Sequence, residues 1–512
     1  MLQISKTLLI PTLFSLLFFA SSTQTLAATD YYVNLNSGND SGDCTSNSSP
    51  CKTIQYAANK AKTQNNATTV NVAGGTHTGT KTINVANVKP SNQMTIKGNN
   101  TIIDGNNRNY YDDESLVKLD DVQNVTFEGF EVRNGKGRGL SYSNAFNITI
   151  RNNKIHGFHY RALGGWADGV LIEGNELYNN ALSNQGNNNC SPCSGWPGVV
   201  QAASRWGSGN PQTPTKNMTV RNNIIHDSWV EGVIANFVET ATIEGNIVYN
   251  TYSVGIYLDN AKDVTINGNY VYNTSNAYTK SGRRSNGVGL ATEQYGSSEP
   301  KIKLTNIAIT NNVFSGVERG ISYWADGRSD SINGYNNVKI LHNTFYNPIA
   351  FGIYIDKAGG GGASNSQIKN NIIHPGGSSK IFIEDAGAWT FGGNFWVGGK
   401  PSGNAYNNDF SINNISYTST ATSGDGTGFK PTQALPNAGV NVGISQDFSG
   451  TSRNTSAPTV GAFELSGQTA TPTPSPSVSP TPSPNPSSTP TPTPDACAAN
   501  ADPNHDAKVH LF

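Results

Sequence analysis

The sequence predicts an all-β solenoid, in which short strands recur and stack into one long coil. One pattern returns at intervals of 22 or 23 residues, so that Gly255 follows Gly232 by 23 residues and Asn269 follows Asn246 by 23. The composition also favours strands and turns, because glycine is abundant (54) and charged residues make up only 13%. Apolar residues alternate within the repeats. Units of this size cannot bury a core alone, so they must stack.

Residues 1–28 resemble an export signal. Lys6 supplies a positive charge, an apolar stretch follows from Leu8 to Phe19, and small residues stand at Ala27 and Ala28. The apolar stretch is shorter than the ~20 residues needed to cross a membrane. We therefore expect a secreted or cell-surface protein without a membrane span after signal removal. The formal net charge of -1 argues against a nucleic-acid partner.

An exported chain can keep disulfide bonds. Cys44 and Cys51 flank a small loop, and we expect them to pair. Cys190 and Cys193 are a second candidate pair in a tight Cys-Ser-Pro-Cys element, for which a zinc site is the rival interpretation. Cys497 is left over.

The segment "KTIQYAANKA" predicts an N-terminal helix. It places Ile54, Ala57, Ala58 and Ala61 on one face. Such a helix can cover the open first coil, which would otherwise expose backbone groups and apolar interior.

A recurring asparagine marks one corner of the predicted coil. Each repeat reads as a strand, two residues and then Asn, as in "ATIEGNIVY". We expect these asparagines to occupy a bend with left-handed backbone geometry and to hydrogen-bond to one another along the axis. The markers are Asn153, Asn175, Asn223, Asn246, Asn269, Asn312, Asn343 and Asn371.

A second strand in most coils begins near a glycine, as in "GIYLD" from Gly255 to Asp259. Alternation predicts that Ile256 and Leu258 point inward while Tyr257 and Asp259 point outward. Two outward columns follow. The first is Ser141, Ile234, Tyr257, Gly289, Ser322 and Tyr354, and the second is Ser143, Asn236, Asp259, Ala291, Trp324 and Asp356.

On these repeats and on the start "YYVNLNSGNDSGDCTSNSSPCKTIQYAANKA", the chain resembles the right-handed parallel β-helix superfamily, with its pectate-lyase-like fold. The resemblance covers roughly residues 30–465 and implies a right-handed parallel β-helix domain at residues 29–466, with an N-terminal capping helix. It does not identify a catalytic family. The complete set of Asn-Thr-Asp, Asp-Asp and Gly-His-Gly that polygalacturonases carry is missing from the sequence, and so is the Asp-Pro-His of mannuronan epimerases.

A groove on the outer face is the predicted binding site. Tyr257, Asn236, Trp324, Tyr354 and Asp356 are the candidate sugar-binding residues, since aromatic rings stack on pyranoses and polar groups bind hydroxyls. The alternative is an ordinary solvated sheet face.

Carboxylate pairs are the first candidates for catalysis, and the alternative for each pair is that it binds sugar hydroxyls or caps a loop. Glu293 with Asp326 and Glu231 with Asp259 are predicted neighbours, whereas three coils, roughly 14 Å, separate Asp259 from Asp356, too far for either hydrolase geometry.

Lyase chemistry needs a cation and a base instead. The candidates are Arg319, Lys357, His226 and Tyr257, and also Arg161 and His159 from earlier coils.

These observations predict a monomeric carbohydrate-active protein, either a polysaccharide lyase or a glycoside hydrolase. A non-catalytic polysaccharide-binding or adhesion protein and a sugar epimerase are the alternatives. The sequence requires no cofactor, and calcium is a possible one.

The C-terminal part changes character. Residues 467–494 form a Pro/Ser/Thr-rich linker. Residues 495–512 resemble a truncated dockerin-like segment, in which Asp502, Asn504 and Asp506 occupy positions 1, 3 and 5 of a calcium loop. Ala507 replaces the usual glycine and the chain stops before the last ligand, so we expect weak calcium binding at most. The alternative is a polar tail. The segment would connect the protein to a scaffold or cell-surface partner.

Overall fold

A computed structural model describes residues 29–78, 82–108, 114–186, 197–325, 330–375, 379–436 and 439–465. It confirms the predicted all-β fold, a right-handed parallel β-helix. Strands, numbered in chain order, pair in parallel with those of the next coil and form three long faces. Their interior is filled by apolar side chains, and Ile256 and Leu258 are fully buried there, as predicted.

Face 1 carries the second, glycine-led strand of most coils. Its strands are β4 (Ile83–Ala86), β6 (Ser115–Asp120), β12 (Val200–Ala202), β19 (Asn286–Ala291), β22 (Arg319–Trp324), β25 (Phe351–Ile355) and β29 (Ser379–Ile383). Four longer strands turn the corner from face 1 into face 2: β8 (Arg138–Arg151), β10 (Leu163–Glu173), β15 (Val233–Glu244) and β17 (Val254–Asn267).

Face 2 carries the strand that precedes the marker asparagine. It contains β1 (Thr29–Val33), β2 (Thr68–Val72), β13 (Thr215–Arg221), β20 (Leu304–Thr310), β23 (Gly334–Leu341), β26 (Gly362–Ser364), β27 (Ser366–Lys369) and β30 (Trp389–Gly392). Two strands turn from face 2 into face 3: β5 (Met94–Arg108) and β7 (Val125–Gly135).

Face 3 completes each coil with short strands. These are β3 (Gly75–Thr78), β9 (Lys154–Phe158), β11 (Glu176–Tyr178), β14 (Ile224–Ser228), β16 (Ile247–Thr251), β18 (Tyr270–Tyr272), β21 (Val313–Ser315), β24 (Thr344–Tyr346), β28 (Ile372–His374), β31 (Phe395–Val397) and β32 (Phe410–Ile412). Short 3-10 turns lie at Leu182–Asn184, Ala386–Ala388, Asn404–Tyr406 and Thr427–Phe429.

The predicted N-terminal helix is confirmed as α1 (Ile54–Ala61). The Thr53 side chain caps it by accepting a hydrogen bond from the Tyr56 N–H. Its buried face consists of the four predicted residues and packs against β1, β2 and β4, so it covers the first coils. The predicted Cys44–Cys51 disulfide, with Cα atoms 5.2 Å apart, is also confirmed and lies just before this helix.

The predicted asparagine ladder is confirmed. Each marker donates from its side chain and its backbone N–H to the side-chain oxygen of the next, as Asn223 does to Asn246 at 2.9 and 3.0 Å. The ladder runs one coil further than predicted, through Asn394, and ends on the carboxylate of Asp409.

One expectation about these markers is wrong. The left-handed backbone conformation belongs to the residue before each marker, as at Asn222 (φ 54) and Gly245 (φ 61). The preceding residue makes the bend, and this leaves the marker side chain free to point inward along the ladder.

After β32 the described chain leaves the coil and runs back along face 3. Phe429 and Phe463 pack there against Tyr270 and Tyr272 of β18. The segment is also anchored by polar contacts, such as the bond of 2.7 Å from Arg453 to Asn311.

Several predicted features lie outside the described residues. These are the segment 1–28, Cys190, Cys193, Asp326, Cys497, the linker 467–494 and the candidate calcium ligands Asp502, Asn504 and Asp506. Within the described ranges, no helix combines the length and the apolar character that a membrane crossing requires.

Candidate functional site

The two predicted outward columns lie side by side on face 1. Ile234 pairs in register with Tyr257, Tyr257 with Gly289, Gly289 with Ser322, and Ser322 with Tyr354. The second column places Asn236, Asp259, Ala291 and Trp324 in the same order.

Between Ser141 and Ile234 the structure inserts two further coils into the first column, represented by Gly164 and Gln201. Sequence reading missed them because Ala162 and Val199 occupy the position at which the other strands begin with glycine.

Asp259 is completely buried, although its strand position points it out of the coil. Four donors surround its carboxylate. They are the side chains of Asn236 (2.9 Å) and Asn260 (3.0 Å), the N–H of Glu293 (2.8 Å) and the hydroxyl of Tyr295. Burial, and then the charge of Glu293, raises the pKa of Asp259 well above its usual range. Asp259 therefore anchors the segment that covers it.

That covering segment, residues 292–303, carries a second carboxylate to the site. Glu293 accepts a hydrogen bond of 3.3 Å from the indole N–H of Trp324. The hydroxyl of Tyr295 also lies 3.5 Å from Glu293 and accepts a bond of 2.9 Å from Asn236. One hydroxyl thus contacts both Asp259 and Glu293, which places their carboxylates no more than two hydrogen-bond lengths apart.

Tyr257 and Trp324 form the aromatic part of the site. Their rings stack with centroids 5.2 Å apart, and Ile234, Val254 and Ala291 pack around them. The buried Tyr257 hydroxyl faces the Glu293 carboxylate. Burial, followed by the charges of Asp259 and Glu293, raises its pKa well above the usual value, so it stays protonated. It is a neutral donor facing the acidic groups.

Glu231 lies at the opposite end of the same face and is 5% exposed. Its Oε2 atom has no hydrogen-bond partner. Burial raises the pKa of Glu231 to about 7, and the charge of Glu293 adds to the shift, whereas Lys280 and a hydrogen bond from Ser253 oppose it. This carboxyl group therefore exchanges its proton near neutral pH.

Glu231 and Asp259 are not neighbours in the structure, contrary to the prediction. Glu231 stands in register with the residue that starts β17, whereas Asp259 ends the outward part of that strand. The charge of Glu293 instead contributes to the raised pKa of both Glu231 and Asp259, because the segment 292–303 folds back over face 1.

The other predicted residues lie further along face 1 or away from it. The Arg319 guanidinium lies 3.7 Å from the centre of the Tyr354 ring, which also stacks on Phe382. Asp356 follows β25 and is half-buried, while Lys357 is exposed and its backbone N–H donates to Glu384.

The two predicted histidines do not join this site. His226 belongs to face 3, where its ring stacks between Tyr178 and Tyr249. His159 follows β9, and its carbonyl oxygen accepts the hydroxyl of Ser183. Sequence reasoning offers both only as candidate bases for lyase chemistry and assigns neither to a face.

Sequence reasoning missed Tyr295, Asn260 and Lys280. Tyr295 lies in the insertion that separates β19 from β20, a length change that signals a loop without saying where it folds. Asn260 contacts the carbonyl of Glu293 (3.0 Å) and the N–H of Ile302 (3.2 Å), so it holds both ends of the covering segment. Among the described residues, no three His, Cys, Asp or Glu side chains gather as a metal site requires.

Comparisons with known proteins agree with the fold. The family model described as "Right handed beta helix region" matches residues 204–334. The chain is similar to PfbA, a surface adhesin of Streptococcus pneumoniae, at 14% identity and a TM-score of 0.50, over 67% of this chain and 85% of that one. It is also similar to XylC in complex with xylose, at 10% identity and a TM-score of 0.52, over 85% of this chain and 98% of that one.

A third solved structure, pectate lyase Pel9A, is 17% identical with a TM-score of 0.46, over 86% of this chain and 97% of that one. No curated protein matches the sequence significantly. At these identities the likeness shows the fold alone, and different activities occur on one fold.

Proposed function

We propose that the protein is a polysaccharide-cleaving enzyme, a glycoside hydrolase, with Glu231 as its general acid. The observation that carries this proposal is the state of Glu231. It is a buried carboxyl group with one oxygen unpartnered and a pKa raised to about 7. A carboxyl group that remains protonated near neutral pH can donate its proton to the oxygen of a glycosidic bond.

Glu293 is the proposed second carboxylate. Hydrolases of this kind use one carboxyl group as acid and another as nucleophile or base. The Trp324 N–H and the Tyr295 hydroxyl hold Glu293 in place, and its charge reaches Glu231. Asp259 is a positioning residue in this proposal, because it is fully buried and its hydrogen bonds to the Glu293 N–H and the Tyr295 hydroxyl order the segment 292–303.

The aromatic residues of face 1 supply the proposed sugar contacts. Trp324 is half-buried above Tyr257, and the stacked pair of Tyr354 and Phe382 lies further along the axis. Aromatic rings present broad apolar surface with specific geometry, which suits the faces of pyranose rings. A polysaccharide would lie along the coil axis across these rings.

The test is an assay of the purified protein with a panel of neutral and acidic polysaccharides. We expect new reducing ends without the ultraviolet absorbance of an unsaturated uronate. Glu231→Gln and Glu293→Gln should each abolish cleavage, while the matched control Glu239→Gln, at a solvated ion pair on face 2, should keep it. Unsaturated products would instead indicate a lyase, and full activity in Glu231→Gln would refute the proposed acid.

Non-catalytic glycan binding is the second candidate function. It is favoured by the complete burial of Asp259 and by the hydrogen bonds that close a network around the acidic cluster, which consists of Asp259 and Glu293. Retention of the protein on a glycan without any cleavage would support it over the hydrolase.

We further propose that the protein is exported and connected through its C-terminal segment to a scaffold or cell-surface partner. The Cys44–Cys51 disulfide supports an oxidising compartment. Calcium-dependent pull-down of a partner by residues 467–512 would test the connection.

A further inference from the structure

Arg138 and Arg161 occupy equivalent positions on neighbouring coils of face 1. Leu140 pairs in register with Leu163, and the Gly139 N–H donates to the Arg161 carbonyl at 2.9 Å. The two guanidinium groups therefore belong to one column at the start of the face 1 strands. Among the described residues, neither arginine forms an ion pair with a carboxylate.

Arg161 is buried without a partner for its charge. It is 7% exposed, and its Nε atom has no hydrogen-bond acceptor. Its aliphatic part lies over Gly164, where an added Cβ atom would come within 2.9 Å of the Arg161 Cδ. The missing side chain at Gly164 thus makes room for the arginine against the sheet.

Arg138 is in a similar position but is less buried. Its Nε atom also has no hydrogen-bond partner, and its guanidinium lies 5.3 Å from the centre of the Tyr160 ring. Burial, and then the charge of Arg138, lowers the pKa of Arg161 to about 9. Two adjacent cations without an anion are costly to bury, and a bound anion would relieve that cost.

The arginine pair lies in the same column as Glu231. Leu163 pairs with Val200 and Val200 with Val233, which places Gly198 between Arg161 and Glu231. Two coil spacings correspond to about 10 Å along the axis. A glycan chain bound across Glu231 and running along the axis toward the N-terminal coils would reach Arg161.

We propose that Arg138 and Arg161 form a subsite for an anionic group, a carboxylate or a sulfate, on a charged polysaccharide. This inference rests on the proposed function and specifies its substrate class. A guanidinium with a free Nε can offer two parallel N–H donors to an oxyanion. A neutral glycan has no group that would replace the missing counter-charge.

The test compares binding of uronate polymers (polygalacturonate and alginate), a sulfated polymer (dextran sulfate) and a neutral polymer (dextran) by isothermal titration. We expect the protein to prefer either the uronate or the sulfate class over dextran. Arg161→Gln should weaken that preferred binding by roughly tenfold to a hundredfold. Arg138→Gln should weaken it less, and Arg161→Lys should restore part of it.

The matched control is Arg151→Gln, which removes one positive charge at an ion pair with Glu128 on face 2 and should leave binding unchanged. Arg161→Gln removes a buried unpaired charge, so the melting temperature of the variant should not fall. An unchanged melting temperature shows that weaker binding is not caused by loss of folding. The subsite would be overturned if Arg161→Gln bound both anionic classes as tightly as the wild type does. It would also be overturned if the Arg151→Gln control lost as much affinity as Arg161→Gln.

The Glu231→Gln variant distinguishes this inference from the proposed function. It should stop cleavage while binding the anionic polymer normally. Full cleavage by this variant together with weakened binding in Arg161→Gln would refute the catalytic proposal and keep the subsite. If Glu231→Gln loses cleavage while Arg161→Gln binds normally, the subsite is refuted and the catalytic proposal is kept.

Discussion

Asn236 donates a hydrogen bond of 2.9 Å to the buried carboxylate of Asp259, which occupies the same strand position one coil later. The bond links consecutive coils on the outside of the β-helix, where side chains are usually solvated. Both residues are enclosed because the segment 292–303 folds over them and contributes a backbone donor and the Tyr295 hydroxyl. The order of this segment therefore depends on Asp259.

Asp259→Ala should destabilise the protein by about 2–4 kcal/mol, because it leaves buried donors without an acceptor. Denaturant unfolding gives the loss, and hydrogen exchange should show faster exchange in residues 292–303 specifically. Asp168→Ala is the matched control, since Asp168 likewise accepts a hydrogen bond from an asparagine of the neighbouring coil, Asn217, but at a solvated position. Its effect should be within about 0.5 kcal/mol. Equal stability of the two variants would contradict the anchoring role.

Glu231 should make the free energy of unfolding depend on pH. Its pKa is about 7 in the folded protein and 4.5 ordinarily, so the folded state holds its proton more tightly than the unfolded state. The contribution of Glu231 to the free energy of unfolding is therefore fully present below about pH 4.5 and is lost as the pH rises through about 7. The Glu231→Gln variant has no carboxyl group at this position, so its free energy of unfolding should not show this decrease with pH.

Relative to the wild type, Glu231→Gln should therefore gain up to about 3 kcal/mol between pH 4 and pH 8. Urea unfolding of both proteins across this range measures the difference, with Glu239→Gln as control. Parallel pH curves for wild type and Glu231→Gln would show that Glu231 titrates normally.

The repeat made most of the fold predictable, because one coil constrains the next. Spacing alone placed Tyr257 beside Ile234 and aligned the marker asparagines, and the strand pairings follow that register. The same logic failed where a coil lacks its leading glycine, as at Ala162 and Val199. It also did not show that His226, offered as a candidate base, lies on face 3 in a stack with Tyr178 and Tyr249.

The candidate site was predictable only in part. Asp259 and Trp324 follow from the column, but the contacts that define their chemistry come from an insertion. The local sequence around Tyr295 does not indicate whether this segment packs onto Asp259 or extends into solvent. Burial decides the pKa of Glu231, and burial depends on this tertiary arrangement.

Asn246→Ala should reduce stability by about 3 kcal/mol or more. Asn246 is fully buried in the middle of the ladder, where it accepts two bonds from Asn223 and donates to Asn269 and to the Val220 carbonyl. The substitution leaves several buried groups unpaired at once. Thermal unfolding measures the loss. Asn407→Ala, at an exposed position with φ -59, should change little, and a comparable loss there would argue against a special role for the ladder.

Tyr295→Phe should impair catalysis while preserving the fold. The substitution removes only the hydroxyl that contacts Asp259, Glu293 and Asn236. Because Tyr295 contacts protein groups in the site, it is a positioning residue, so kcat should fall by roughly tenfold or more with little change in KM. The lost hydrogen bond also lowered the pKa of Asp259, so that pKa should rise further in the variant.

The pH profile of cleavage separates this role from a general loss of structure. A disordered site would lower activity equally at all pH values, whereas loss of the Tyr295 hydroxyl should change the shape of the profile. Tyr278→Phe is the matched control, because the Tyr278 ring packs against Trp229 outside the acidic cluster. If Tyr295→Phe retained both kcat and the wild-type profile, the shared hydroxyl would not position the catalytic carboxylate, and Glu293 would have to be held by Trp324 instead.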